Sequence, residues 1–561
     1  MKEHVRQSMA WLHTWTGLLA GWVMFFVFVT GSAAVFHNEI TRWMQPELSL
    51  RVEQQYPPAA EMAERALDFL EKQREPVDAW IIDFPSDGRR IGNTSARQGA
   101  GLRGYQSWLQ VRRWGTGGLV GKARLDPATG KVIIPTETRV TEGGEFFAHA
   151  HYMLRYMSRD TGLYIVGIFS MLMFVAMITG LIVHKRIFKD FFTFRPNKGT
   201  RSWLDAHHIF GLTALPFLLM IVYSGLALNL HGYMPAPEVA LPDEEKVREF
   251  PPPVTRPKAP IMEIVAKAEK VLGTGEIGQM SIERKEGKLH VSFGRHWGTQ
   301  FPFSGKETLI FDGETGERLD IENTYGQAPA WKALWYLASL HRAMFAGADL
   351  RWLFFISGLV GCALIATGLI LWTTRRRARH EREENKVGGA SCSPVLNGRE
   401  QDAPATLKNG GQGFGFRLVE TLNIATLAGL PIAVAAYFWA NRLLPVTMAD
   451  RAEWEIHALF FVWAWIAYYT MLRPPKRAWL ELLMLAAAAF ALLPVLNLLT
   501  TDKHLFATIA HGDWTLAAVD LTFLAFGAAF GAMVWVLRGR GRREVPETRG
   551  ATGEYRESLA Q

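Results

Sequence analysis

The sequence predicts a mainly α-helical, polytopic membrane protein with a duplicated four-helix core followed by a second four-helix bundle. Long charge-free windows, basic residues at alternate window ends, and a recurring histidine–glycine pattern carry that prediction. Asp, Glu, Lys and Arg are absent between Arg6 and Glu39, Asp160 and Lys185, Asp205 and Glu238, and Arg351 and Arg375. Further such windows run from Glu420 to Arg442, Glu455 to Arg473, Glu481 to Asp502, and Asp520 to Arg538. A bilayer core needs about 20 apolar residues per helix, and all these windows qualify, the sixth and eighth at the short limit. The first is too long, and lacks the small-residue cleavage site, for a removable signal peptide.

Basic residues fix the orientation. Lys185, Arg186, Lys189, Arg195, Lys198 and Arg201 separate the second and third spans. Arg375 to Arg379 follow the fourth, Arg473, Lys476 and Arg477 the sixth, and Arg538 to Arg543 the eighth. With alternating spans all of these fall on one side, which makes that side and both termini cytoplasmic. The net charge of +8 therefore has a topological origin. No basic face with aromatic readers suggests a nucleic-acid partner; the partner implied is the lipid bilayer.

The resulting organisation has spans at 1–37, 161–185, 205–231 and 351–374, with a cytoplasmic loop at 186–204. Outward-facing segments occupy 38–160 and 232–350. A cytoplasmic linker at 375–415, rich in charge, Gly and Ser, reads as disordered. It leads to the last four spans at 416–538 and a cytoplasmic tail at 539–561. A hydrophobic fraction of 49% is modest for a membrane protein and agrees with sizeable water-exposed parts.

The two outward segments read as copies of one small α+β module. Each has a Pro-rich start, Tyr56-Pro57-Pro58 or Pro251-Pro252-Pro253, then an amphipathic helix, Ala59–Gln73 or Ile261–Leu272. Alternating strand-like runs follow, such as Ala79–Phe84 and Lys288–Phe293. Each copy then has an Asp-to-Gly turn, Asp126 to Gly130 and Asp312 to Gly316, fit for a hairpin.

The chemistry lies in the histidines. His13, Gly17, Gly31 and His37 recur, at the same mutual spacing, as His207, Gly211, Gly225 and His231. Paired imidazoles on neighbouring membrane helices suit haem and electron transfer through a bilayer. His13 and His37 are about 36 Å apart along a helix, so one haem cannot bind both, and two haems, one near each face, are expected. No Cys-x-x-Cys-His is present, so the haem expected is not attached in the c-type manner. The two cysteines exclude a disulfide framework and a thiolate iron–sulfur cluster.

At the inner face His13 and His207 form the symmetric pair, with His184 and His208 as replacements. At the outer face two symmetric pairs compete. His151 and His341, in the helical stretches Phe146–Tyr156 and Trp331–Phe345, are favoured over His37 and His231. Arg155 and Arg342 are placed to neutralise propionates; Gly17 and Gly211 would clear space for a flat macrocycle or pack against a neighbouring helix. Trp331, Trp335 and Tyr336 would line an outward acceptor site or pack in the core. In the last four spans Asn423, His457 and Asn497 are the clearest polar groups.

Three runs resemble the PepSY-associated transmembrane family. They are Trp11-Leu12-His13-Thr14-Trp15-Thr16-Gly17-Leu18, Thr179-Gly180 to His184 continuing through Ile187 to Pro196, and Arg201-Ser202-Trp203-Leu204-Asp205-Ala206-His207. The resemblance covers residues 1–375 and implies that the outward segments are periplasmic PepSY-like domains. The last bundle is similar to an extension found in longer members. Members with this core include bacterial inner-membrane ferrisiderophore reductases, so the resemblance implies a di-haem enzyme that reduces Fe(III)–siderophore and releases Fe(II). His13, His151, His207, His341 and His184 match histidine positions of the family pattern.

Such electron transfer is outer-sphere and needs no catalytic acid, base or nucleophile. No G-x-G-x-x-G joins a strand to a helix, so electrons are expected from quinol or a separate flavin-type donor. The alternatives are a siderophore or iron transporter, and a non-enzymatic PepSY regulatory protein. Acidic residues that would couple transport are missing from the windows, and a regulator leaves the histidine pairs without a role.

Overall fold

A computed structural model describes residues 3–47, 56–73, 75–85, 108–115, 118–133, 139–184, 191–229, 253–285, 287–295, 307–323, 329–343, 346–390 and 414–543. The chain divides into two compact units, Met1–Glu381 and Arg382–Gln561. Among the described residues, eight helices are long and apolar enough to span a membrane.

In the first unit the spanning helices are α1 (Glu3–Ala34), α5 (Arg159–Val183), α6 (Thr200–Leu228) and the greater part of α9 (Ala348–Ala390). Between them come α2 (His37–Met44), α3 (Ala59–Glu71), α4 (Glu145–Met153), α7 (Ile261–Leu272) and α8 (Pro329–Arg342). The segment expected to be helical through Tyr156 ends at Met153, because Leu154 and Tyr156 adopt positive φ and turn the chain toward α5. Ala343, also at positive φ, ends α8 likewise before α9. The linker expected from residue 375 is helical as far as Ala390. The rest of that linker, 391–413, and the tail from 544 lie outside the described residues.

The segments between α1 and α5 and between α6 and α9 share a single antiparallel sheet. Its strands are β1 (Ala79–Asp83), β2 (Leu109–Gly115), β3 (Gly118–Leu125), β4 (Ile277–Lys285), β5 (Lys288–Arg295), β6 (Glu307–Asp312) and β7 (Arg318–Asn323). They are ordered β3-β2-β1-β4-β5-β6-β7. The copies join where β1 pairs with β4, Ile81 opposite Ser281 and Asp83 opposite Gln279. Alternation puts Ile82, Val111, Met280, Ile282, Val291 and Phe311 on one face, where they pack with Ala66 and Leu70 of α3 and Ile264 and Ala268 of α7. Two small modules thus complete one core. Both Asp-to-Gly turns form: the Asp126 carboxylate accepts from the Ala128 and Thr129 amides, and Asp312 from those of Glu314 and Thr315. Gly130 and Gly316 close them at φ 68° and 70°. The same amides hold the Asp312 carboxyl below its ordinary pKa.

Charges that delimit the apolar windows are drawn inside. Glu39, Asp205, Arg351, Glu420, Arg442, Glu455 and Asp520 are all buried. Arg351 of α9 binds Glu39 of α2 through both guanidinium ends, at 2.5 and 2.7 Å, and donates to the Val35 carbonyl at 2.6 Å. Its guanidinium also lies 4.6 Å from the centre of the Phe36 ring. Removing one member of a buried pair leaves an uncompensated charge, which costs about 3–5 kcal/mol. Arg351→Met is therefore expected to lower thermal stability strongly, and adding Glu39→Leu to recover part of it. A single variant as stable as the parent would show that the pair does not hold α2 to α9.

In the second unit, α10 (Phe414–Ile424) passes through a π-helical turn, Ala425–Gly429, into α11 (Leu430–Leu443). Pro431 lacks the amide proton that a regular ladder needs there, and the wider turn accommodates it. Helices α12 (Arg451–Leu472), α13 (Pro475–Ala491), α14 (Leu493–Thr500), α15 (Leu505–Ala510) and α16 (Trp514–Arg543) complete the unit. A buried polar chain links four of these helices. Arg442 donates to Asn441 and Asn497, Asn441 to Glu455, and Asn497 to Asp520, while Arg451 pairs with Glu455. Equal numbers of cations and carboxylates, mutually bonded, make this a clamp between helices.

Candidate functional site

Four histidines of the first unit meet as two facing pairs. His13 of α1 and His207 of α6 have ring centroids 6.2 Å apart, and His151 of α4 and His341 of α8 have theirs 6.0 Å apart. A metal–imidazole bond is about 2 Å and the nitrogen lies about 1.1 Å from its ring centre, so two imidazoles trans on one metal have centroids about 6 Å apart. Both pairs have that separation. Along α1, His13 and the turn that receives His151 are about 24 Å apart, so the two pairs sit at different membrane depths.

Each ring has its Nδ1 atom against a backbone carbonyl. The Nδ1 atom of His13 lies 2.8 Å from the Ala176 carbonyl oxygen of α5, and that of His151 lies 2.8 Å from Val27 O of α1. His207 Nδ1 is 3.1 Å from Leu364 O of α9, and His341 Nδ1 is 2.9 Å from Ile221 O of α6. A carbonyl can only accept, so Nδ1 carries the proton and Nε2 keeps the lone pair that binds a metal. Burial lowers the pKa of His151 and pushes that of His341 down to about 3, His151 adding to the latter effect. Both rings are therefore neutral, the form that ligates.

The receiving helices share a local sequence. Four residues beyond each acceptor carbonyl stands a glycine: Gly180, Gly31, Gly368 and Gly225 respectively. The amide of that glycine closes the helical turn on the same carbonyl, so a side chain there would stand over it. A Cβ on Gly31 would lie 2.6 Å from the His151 ring, and on Gly225 2.9 Å from that of His341. On Gly180 and Gly368 the distances to His13 and His207 would be 3.0 and 3.1 Å. Before each glycine comes a hydroxyl residue, Thr179, Thr30, Thr367 or Ser224, bonded back to its own helix. Two carbonyl-oriented imidazoles, their ring centroids 6.2 or 6.0 Å apart and glycine beside each ring, form a donor set that fits haem.

The other candidate residues are placed differently. His184 caps the C-terminus of α5 and stacks on His208 with centroids 3.8 Å apart, closer than two imidazoles approach with iron between them. His37 opens α2 with Nε2 3.7 Å from a Glu145 oxygen of α4. His231 and the side chains of Trp331 and Trp335 lie outside the described residues. Tyr336 is exposed. Arg155 pairs with Glu142 at 3.3 Å; burial lowers the Arg342 pKa, with Tyr152 nearby opposing. A Cβ on Gly17 would meet nothing within 4 Å, which is open space beside the His13 turn, whereas on Gly211 it would contact Leu364 at 3.4 Å.

Sequence reasoning missed the hydroxyl–glycine turns as a set. The dipeptide occurs in all four core spans, but Thr16-Gly17 and Ser357-Gly358 share it without receiving a ring. The pattern becomes specific only once the histidine opposite is known.

The description PepSY-associated TM region matches residues 10–375. The chain is also 23% identical over 401 residues to a Pseudomonas aeruginosa protein described as "Uncharacterized protein PA4219", covering 67% of this chain and 90% of that protein. On the family match, this multi-pass membrane protein belongs to the PepSY-associated TM family.

Proposed function

We propose that the protein is a di-haem b-type reductase of a bacterial inner membrane that carries electrons outward to an Fe(III)–siderophore, releasing Fe(II) for uptake. The observation that supports this best is the pair of facing imidazole sets, each spaced for one iron, at two membrane depths. His13 and His207 would hold one haem and His151 and His341 the other. Bound there, haem supplies one-electron carriers. The chain's own part is to fix each imidazole proton on Nδ1, present Nε2, and exclude solvent from the rings.

Arg195 and Lys198 between α5 and α6 and Arg201 in the first turn of α6, with Arg375 to Arg379 on α9, support a cytoplasmic side for the His13–His207 pair. The shared sheet then faces the periplasm, where a ferric chelate would dock. Iron(III) held by hard oxygen donors loses affinity when reduced to Fe(II), so one electron suffices for release and no protein acid or base is needed. Quinol or a flavin-type protein would supply the electrons.

Full-length protein in liposomes, loaded with haem and reduced by dithionite, tests the reading. Adding an Fe(III)–hydroxamate should reoxidise the haem and yield Fe(II) that a ferrous-specific dye captures. Haem that stays reduced with every ferric chelate offered would contradict reductase function and favour a regulatory role.

A further inference from the structure

The two rings of each pair are not held identically. His13 and His151, from the first repeat, each meet one acceptor, the carbonyls of Ala176 and Val27. The rings from the second repeat meet two. His207 Nδ1 also lies 3.3 Å from Thr367 Oγ1, and His341 Nδ1 lies 3.0 Å from Ser224 Oγ. Both hydroxyls have a backbone carbonyl to donate to, Ala363 O at 2.8 Å for Thr367 and Met220 O at 2.6 Å for Ser224. Each hydroxyl oxygen can therefore turn its lone pairs to the ring and accept from Nδ1–H. Thr30 and Thr179 make the same bonds to their own helices, to Phe26 O at 2.8 Å and Val175 O at 2.7 Å.

We infer that Thr367 and Ser224 are positioning residues that would set the reduction potentials of the two centres, by giving His207 and His341 respectively a second hydrogen-bond acceptor. The inference rests on the di-haem reading above. A second acceptor draws the Nδ1 proton outward and makes Nε2 a stronger donor. Stronger donation favours the more highly charged Fe(III), so each hydroxyl lowers the potential of its own centre. One hydroxyl per centre, always from the second repeat, lets duplication keep the ligand set while the two potentials are adjusted separately.

Redox titration of full-length, haem-loaded protein tests this, with Thr367→Val, Ser224→Ala, Thr30→Val and Thr179→Val compared. Thr367→Val should raise the potential of the His13–His207 centre alone, and Ser224→Ala that of the His151–His341 centre alone. Ser224→Thr should keep the parent value. Thr30→Val and Thr179→Val, which remove equivalent hydroxyls without a bond to a ring, should move neither wave. Equal shifts in all four variants, or none in Thr367→Val and Ser224→Ala, would overturn the inference while leaving the di-haem reading intact. A parent protein that binds no haem overturns both.

Discussion

Replacing His13 with alanine is expected to remove one of two haems, and replacing His207 to remove the same one. The two rings stand 6.2 Å apart, so either loss would leave the proposed centre with one imidazole. His151→Ala and His341→Ala should both remove the other haem, since their rings form the second gap. Haem content of each purified variant, read with the redox wave that survives, checks the pairing. The pairing is wrong if His13→Ala and His207→Ala lose different haems, or if His184→Ala removes one outright. The His184–His208 stack leaves no room for iron, so that variant should retain both.

A single methyl group at Gly31 should have an effect nearly as large. Its Cβ would lie 2.6 Å from two atoms of the His151 ring, a separation that real atoms do not sustain. The ring would have to leave the Val27 carbonyl, and Nε2 would be displaced with it. Alanine is the better helix former by about 1 kcal/mol, so α1 itself should not be weakened. Gly31→Ala is thus expected to lose the haem of the His151–His341 centre while thermal stability of the haem-free protein holds or rises. Gly225→Ala, at 2.9 Å from the His341 ring, should act on the same centre. Full haem content in both variants would show that the glycine turns do not seat the rings.

Much of this was legible in the sequence, for identifiable reasons. The spans follow from charge-free length, and duplicated histidines pick out symmetric partners once two copies face each other. The sequence favours His151–His341 over His37–His231, but how the rings of the first pair meet needed the fold. It depends on positive-φ turns at Leu154 and Ala343, which let short helices fold back beside the spans, and nothing in periodicity announces those. The joining of β1 to β4 was hidden because strand alternation is satisfied by any antiparallel neighbour. Charges such as Arg351 and Glu455 served to end apolar windows, yet both are buried in ion pairs. Counting charges cannot distinguish a headgroup contact from an internal clamp.

The most direct measurement is the haem content and spin state of the oxidised full-length protein, by pyridine haemochromogen assay and electron paramagnetic resonance. Two b haems per chain, both low-spin with imidazole on each side of the iron, are predicted. A colourless protein from haem-replete cells, or iron with an open axial position, would contradict the account at its root.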